Sequence, residues 1–157
     1  MSFITKGIFC LTSLLVIASG SARASIYIPA DLNPGDSYRL IYVTDGTRNA
    51  TSSDIATYNS FVAAEATAIT ALNDLDTTWT AVASTTAVDA RDNTGTNPNI
   101  ATGVPIYLLN GSRIAANNAD FWDESIESTI SISPTLQVVG STVWTGTHGD
   151  GTEFTYY

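Results

Sequence analysis

Carboxylates are the only side chains in this sequence numerous enough to support acid–base or metal chemistry. They fall into pairs and a triplet along the chain: Asp74 with Asp76, Asp89 with Asp92, and Asp120 with Asp123 and Glu124. Hydrolysis of a glycosidic bond needs two carboxyls facing each other about 5 to 9.5 Å apart across a cleft, and nearness in sequence does not supply that. Calcium takes hard oxygen ligands, so Asp120, Asp123 and Glu124, or Asp150 with Glu153, are the sets to consider. Neither has the Asp-x-Asp-x-Asp-Gly spacing of a calcium loop. No cofactor is therefore expected, calcium being the one ion these donors suit.

Nucleophilic catalysis has less to build on. His148 is the single histidine. It lies in the turn-like run Thr147-His148-Gly149 with no Gly-x-Ser-x-Gly elbow elsewhere, and it reads as a solvated turn residue rather than a base. Cys10, the single cysteine, sits in an apolar N-terminal segment. Phosphate-cradling glycine loops, dinucleotide fingerprints and His/Cys metal spacings are absent from the sequence. Asn49-Ala50-Thr51 and Asn110-Gly111-Ser112 match glycosylation acceptors, but Asn110 is better explained by a hairpin turn.

The elements that must position these groups follow from periodicity and punctuation. Pro34-Gly35 turns the chain into residues 37–44, a strand with apolar groups on both faces and hence expected at the centre of a sheet. Ser52, Ser53 and Asp54 offer cap side chains, and Ile55, Tyr58, Val62, Ala66, Ile69 and Leu72 follow at helical spacing, which predicts an amphipathic helix over 54–72. Tyr58 and Phe61 read as packing residues of that helix. A short strand is expected at 78–84, anchored by Trp79, and then a polar loop over 89–102. Residues 104–109 read as a strand with Pro105 marking an edge or an irregular start, closed by Asn110-Gly111. Residues 117–124 read as a capped short helix or turn that buries Phe121 and Trp122 and leaves Asp120, Asp123 and Glu124 outside. Further short strands are expected around Ile130, Ile132, Leu136, Val138 and Val139, and again at 142–151.

The first 24 residues have the three parts of an export signal: Lys6, an apolar core from Ile8 to Ala18, and Ala22-Arg23-Ala24 as a small-x-small cleavage site. That core falls short of the roughly 20 apolar residues of a spanning helix, so cleavage before Ser25 is favoured over an uncleaved anchor. Cys10 lies inside the apolar stretch, away from a lipoprotein position. Cleavage removes the only Lys and the only Cys and leaves four Arg against 15 carboxylates, a formal charge of −11 in place of −9. Such a surface repels phosphate backbones and anionic lipid, which argues against nucleic-acid and membrane-surface partners. With no disulfide available, packing alone must hold residues 25–157, one domain in length. A chain with 44% hydrophobic and 13% charged residues is not of disordered composition.

Three blocks, in order, resemble the endostatin-like branch of the C-type-lectin-like fold. They are residues 79–84 (Trp-Thr-Ala-Val-Ala-Ser), residues 104–114 (Val-Pro-Ile-Tyr-Leu-Leu-Asn-Gly-Ser-Arg-Ile) with 119–125 (Ala-Asp-Phe-Trp-Asp-Glu-Ser), and residues 143–151 (Val-Trp-Thr-Gly-Thr-His-Gly-Asp-Gly). The resemblance implies an α+β domain with one main amphipathic helix and short twisted antiparallel strands. The departures limit what it carries. Members have two disulfides, where this exported chain has no cysteine. Their zinc-binding histidines lie near the amino end, where this chain has none, and the calcium-binding triplets of sugar-binding C-type lectins do not occur. The family's last strands lie beyond the Val-Trp-x-Gly unit, so the resemblance also implies a chain incomplete at its C-terminus. Residues 31–50 are similar to exported bacterial proteins that carry a PEP-CTERM sorting tail, a tail that this sequence lacks.

The expected protein is thus a secreted, non-enzymatic binding or surface and matrix domain, passing through a periplasm to the extracellular space. Its partner would be an extracellular polysaccharide or matrix protein, contacted by Asp92, Asn93, Asn97 and Asn99 of the polar loop and by Asp120, Asp123 and Glu124. The alternatives are a secreted hydrolase with a carboxylate pair and a non-functional truncated fragment.

Overall fold

Parallel pairing between two distant strands organises the chain. The computed structural model describes residues 26–155; the expected export signal, with Ala22 and Ala24, lies outside the described residues. Strand β1 (Arg39–Ile41) pairs parallel with β2 (Ile106–Leu108) in the register Arg39↔Ile106, Leu40↔Tyr107, Ile41↔Leu108. A parallel pair needs a long crossover, and here it contains α1 (Ile55–Ala68), α2 (Thr70–Asn73) and α3 (Ala90–Asn93). From β2 the chain reverses through Asn110-Gly111 into β3 (Arg113–Ala115), which pairs antiparallel with β2 and carries a register shift at Ile106/Tyr107. The turn is closed by Gly111 N–H to Leu108 O at 2.9 Å and by Ser112 N–H to Asn110 Oδ1 at 3.1 Å. Helix α4 (Asn118–Phe121) follows directly. Among the described residues this is a mixed α/β fold of α+β character, four helices around a three-stranded sheet in the order β1-β2-β3.

The sheet differs from expectation in two ways. It is mixed rather than wholly antiparallel, and β2 rather than the 37–44 segment is central. Every residue of β2 is buried, while β1 is a three-residue edge strand with the burial pattern exposed, half-buried, buried. Apolar residues on both faces of 37–44 have another cause: Tyr42 packs against Trp79 with ring centroids 5.1 Å apart, and Val43 N–H reaches Ile132 O, so a loop covers the continuation of the strand. Pro105 stands just before a central strand, not in an edge one, and the register shift at Ile106/Tyr107 matches the alternative of an irregular start. Its carbonyl accepts from Arg39 N–H, and its missing donor falls outside the ladder.

The core gathers Ile41, Leu72, Ile106, Leu108, Leu109, Ile114, Phe121 and Ile132 around β2. The helix expected over 54–72 forms but breaks. Asp54 caps α1, its carboxylate accepting from Ala56 N–H at 2.9 Å, and Ile69 adopts an extended conformation between α1 and α2. The β-branched pair Ile69-Thr70 disfavours continuation. Of the apolar stripe only Ala66 and Leu72 are buried; Tyr58 instead ties the preceding loop, bonding Ser52 N–H and O.

Three expected strands are absent as such. Residues 78–84 form no ladder: Ala81 N–H donates to Asn59 Oδ1, Ala81 O accepts from Asn93 Nδ2, and among the described residues the one backbone partner is Thr145 O, which accepts from Ser84 N–H at 3.0 Å. Residues 130–139 contribute a single bridge, Ile132↔Val138, and the 142–151 segment becomes a tight hairpin with the bridge Thr147↔Glu153. Short runs rich in Thr, Ser and Gly do not bury enough apolar surface to hold regular strands.

Candidate functional site

The two segments expected to contact a ligand come together. The polar loop over 89–102 opens with the one-turn α3, whose cap residue Asp89 makes no side-chain cap bond; its carboxylate instead accepts from Glu153 N–H at 2.8 Å and faces Arg91 at 3.5 Å. After α3 the loop curls on itself, Thr96 N–H reaching Arg91 O at 2.8 Å and Asn97 Nδ2 reaching Asp92 Oδ1 at 2.6 Å. Asn97 Oδ1 then accepts from Asn99 N–H at 2.9 Å. Arg39, from β1, holds the loop from below, its two terminal nitrogens donating to the carbonyls of Thr94 and Gly95 at 3.0 Å each.

Around α4, Asn117 caps the helix and Asp120 reaches back past it to the preceding residue. Asn117 Oδ1 accepts from Asp120 N–H at 3.0 Å, and Asp120 Oδ2 accepts from Ala116 N–H at 2.6 Å. Phe121 is buried and Trp122 half-buried. The link between the segments is Trp122, whose Nε1–H donates to the buried Thr96 Oγ1 at 2.8 Å. Asp92 and Asn99 are exposed on one side of that link, Asp123 and Glu124 on the other, with Asn97 and Asp120 half-buried.

A third segment completes the surface. Backbone bonds from His148 N–H to Thr152 O and from Gly151 N–H to His148 O close the C-terminal hairpin, and Arg91 donates to it through its N–H (to Gly151 O) and its guanidinium (to Asp150 O). Gly151 has φ +83°, and a β-carbon there would strike the Trp122 ring at 2.7 Å; one on Gly149 would lie 2.9 Å from Glu124 Cγ. Glycine is therefore what lets the hairpin lie flat on the 120–124 turn. Hydrogen bonds from the Thr152 hydroxyl and N–H hold the Asp150 carboxyl below the usual range.

One expected contact residue is not on this surface. Asn93 turns inward and pairs with Asn59, amide to amide, at 2.9 Å in both directions. The signal missed was the matching Asn59 on the helix. Arg39, Thr96, Trp122 and the hairpin were also not picked out as site-forming, because each does so through a partner far away in sequence.

The acids are engaged one by one. Asp120, Asp123 and Asp150 each accept from a backbone N–H of their own turn, and among the described residues no three His, Cys, Asp or Glu side chains are grouped to hold a metal ion. The carboxylates that do share a groove are Asp45 and Glu65, which the sequence did not pair. They line a shallow depression of about 400 Å³ with Phe61, Ile69 and Pro134. Glu65 Oε2 accepts from Asp45 N–H at 3.0 Å and Gly46 N–H at 3.3 Å, while Asp45 Oδ2 accepts from Thr135 Oγ1 at 3.1 Å.

Comparison with family models, curated proteins and solved structures returns no match for this chain. No helix among the described residues is long and apolar enough to cross a membrane.

Proposed function

We propose that this is an exported, non-enzymatic domain of C-type-lectin-like, endostatin-like architecture that binds a component of an extracellular matrix or surface. Its contact surface is the joined face of Asp92, Asn97, Asn99, Asp123 and Glu124. The observation that carries the reading is the Trp122–Thr96 hydrogen bond, which brings two polar segments 26 positions apart onto one face and leaves their outer side chains in solvent. The order of main helix, Val-Pro-Ile strand, Asn-Gly hairpin and aromatic-acidic turn supports the architectural part. An extracellular polysaccharide or matrix protein fits a strongly acidic chain better than nucleic acid or anionic lipid does.

The test is retention of the purified chain on a panel of glycans and matrix proteins, with and without calcium. It should be lost in the combined variant Asn97→Ala, Asn99→Ala, Glu124→Gln while the melting temperature holds. A wild-type chain retained by nothing, or a variant retained as well as wild type, overturns the reading.

Hydrolysis by a carboxylate pair has one observation in its favour, the shared groove of Asp45 and Glu65. Both carboxylates are bonded to neighbouring loops, which supports a structural role. Turnover of nitrophenyl glycosides that disappears in both Asp45→Asn and Glu65→Gln would establish the enzyme instead.

A further inference from the structure

The loop between β1 and α1 carries a motif that the proposed contact surface does not use, Asn49-Ala50-Thr51. It forms an arch clamped at both ends by α1. At the first end Glu65 accepts from Asp45 N–H and Gly46 N–H, and the Thr44 hydroxyl donates to Gly46 O at 3.0 Å. At the second the Tyr58 phenol accepts from Ser52 N–H at 2.9 Å and donates to Ser52 O at 3.0 Å. Residues 47–51 between the clamps are all exposed, and among the described residues their backbone groups make no hydrogen bond. Asn49 Oδ1 accepts from the Thr51 hydroxyl at 3.1 Å, and its Nδ2 has no partner among the described residues. The second Asn-x-Ser/Thr motif is built the opposite way. Asn110 Oδ1 accepts from Ser112 N–H at 3.1 Å, Gly111 N–H donates to Leu108 O at 2.9 Å and Leu108 N–H to Ser112 O at 2.8 Å. The Tyr27 ring lies so close over Gly111 that a β-carbon there would strike it.

We infer that Asn49 is an acceptor site for an N-linked glycan and that Asn110 is not, a proposal that rests on the export of the chain proposed above. Transfer needs the asparagine nitrogen and the hydroxyl two residues on presented together on an accessible loop. The donor is a polyprenyl-diphosphate-linked oligosaccharide. Asn49 Nδ2 bonds to the anomeric carbon of its first sugar, and the bond from that carbon to the diphosphate oxygen breaks. The polyprenyl diphosphate leaves with the bonding pair, and one carboxamide proton passes to a base of the transferase. The 47–51 arch can enter a transferase site with every backbone bond of the fold intact, and a glycan on it displaces no buried contact. Presenting Asn110 requires opening the turn that joins β2 to β3, a minor population of the folded chain.

The purified, folded full chain is incubated with a single-subunit oligosaccharyltransferase that accepts Asn-x-Thr and with polyprenyl-diphosphate chitobiose, beside unfolded peptides of residues 44–55 and 105–116. Glycopeptide mass spectrometry should place chitobiose on Asn49 and not on Asn110. The ratio of the Asn49 rate to the Asn110 rate should exceed the ratio between the two peptides by about tenfold or more. Asn49→Gln and Thr51→Ala should each abolish the modification and Thr51→Ser should keep it, all with unchanged melting. A bare Asn49 in the folded chain, or a ratio equal to that of the peptides, overturns the proposal. Expression with the same transferase and donor in a bacterial periplasm separates the site from export. A chain that begins at Ser25 and carries glycan at Asn49 supports both. One that begins at Ser25 with Asn49 bare overturns the site and leaves export standing, and a chain kept in the cytoplasm overturns export and the proposal with it.

Discussion

Replacing Asn93 separates a ligand contact from a structural residue. Its carboxamide makes three bonds: Nδ2 to Asn59 Oδ1 at 2.9 Å, Nδ2 to Ala81 O at 2.7 Å, and Oδ1 from Asn59 Nδ2 at 2.9 Å. Ala81 dictates the orientation of both amides, because its N–H can only donate, to Asn59 Oδ1, and its carbonyl can only accept, from Asn93 Nδ2. The ring of bonds ties α1, the 78–84 segment and α3 together where regular strand pairing is missing. A net contribution of about 1 kcal/mol per bond, discounted because both amides are half-buried and water can replace part of what is lost, gives about 2 kcal/mol for Asn93→Ala. With a urea dependence of about 1–3 kcal/mol per molar, the unfolding midpoint should fall by about 1 M. Asn93→Asp replaces the two donated bonds with an anion facing two oxygens and should destabilise at least as much. The assay is urea unfolding followed by far-ultraviolet circular dichroism, with the slope checked for constancy. An Asn93→Ala midpoint within about 0.3 M of wild type would refute the network as a structural tie.

Two further outcomes follow from buried groups. Gly103 has φ +76°, and a β-carbon on it would run into the side-chain oxygen of Asn118, which is fully buried and pinned by bonds to Ala101 O and Thr102 O; Gly103→Ala should cost about 2–4 kcal/mol in a thermal or urea melt, and a loss under about 1 kcal/mol would show that the loop yields. The phenols of Tyr42 and Tyr107 are both raised, Tyr42 by burial and then by the Glu65 charge, Tyr107 by burial and then by its bond to Asp31. A phenol raised on folding contributes stability that is complete below its unfolded value, about 10, and lost as pH rises toward the folded one. In a phenolate absorbance titration these two tyrosines should therefore ionise last, together with alkaline unfolding, and a smooth titration of every tyrosine near the ordinary value would count against the packing described.

What was legible in the sequence is local. Asp54 as a helix cap, Asn110-Gly111 as a hairpin turn and the capped turn around Phe121 depend on neighbours within a few residues, and each recurs in the structure. The splitting of the long helix was less legible, since a stripe of apolar residues says nothing about the extended backbone that Ile69 adopts. The short strands were misjudged because alternation of side chains does not say whether a backbone will find a ladder. In residues 78–84 the partners of the Ala81 backbone are two asparagine amides.

The candidate site divides along the same line. The sequence by itself determined the acidic character of the chain, the polar composition of the 92–99 and 120–124 segments and the presence of glycines where close approach is needed, since these depend only on residue type. Tertiary structure alone decided that Trp122 reaches Thr96, that Arg39 and Arg91 clamp loops more than 50 positions away, that Asn93 faces inward and that the hairpin lies against Glu124. The physical reason is that a hydrogen bond or a close approach between distant segments depends on where the parallel β1–β2 pairing and its long crossover bring the chain, and no spacing within either segment encodes that meeting.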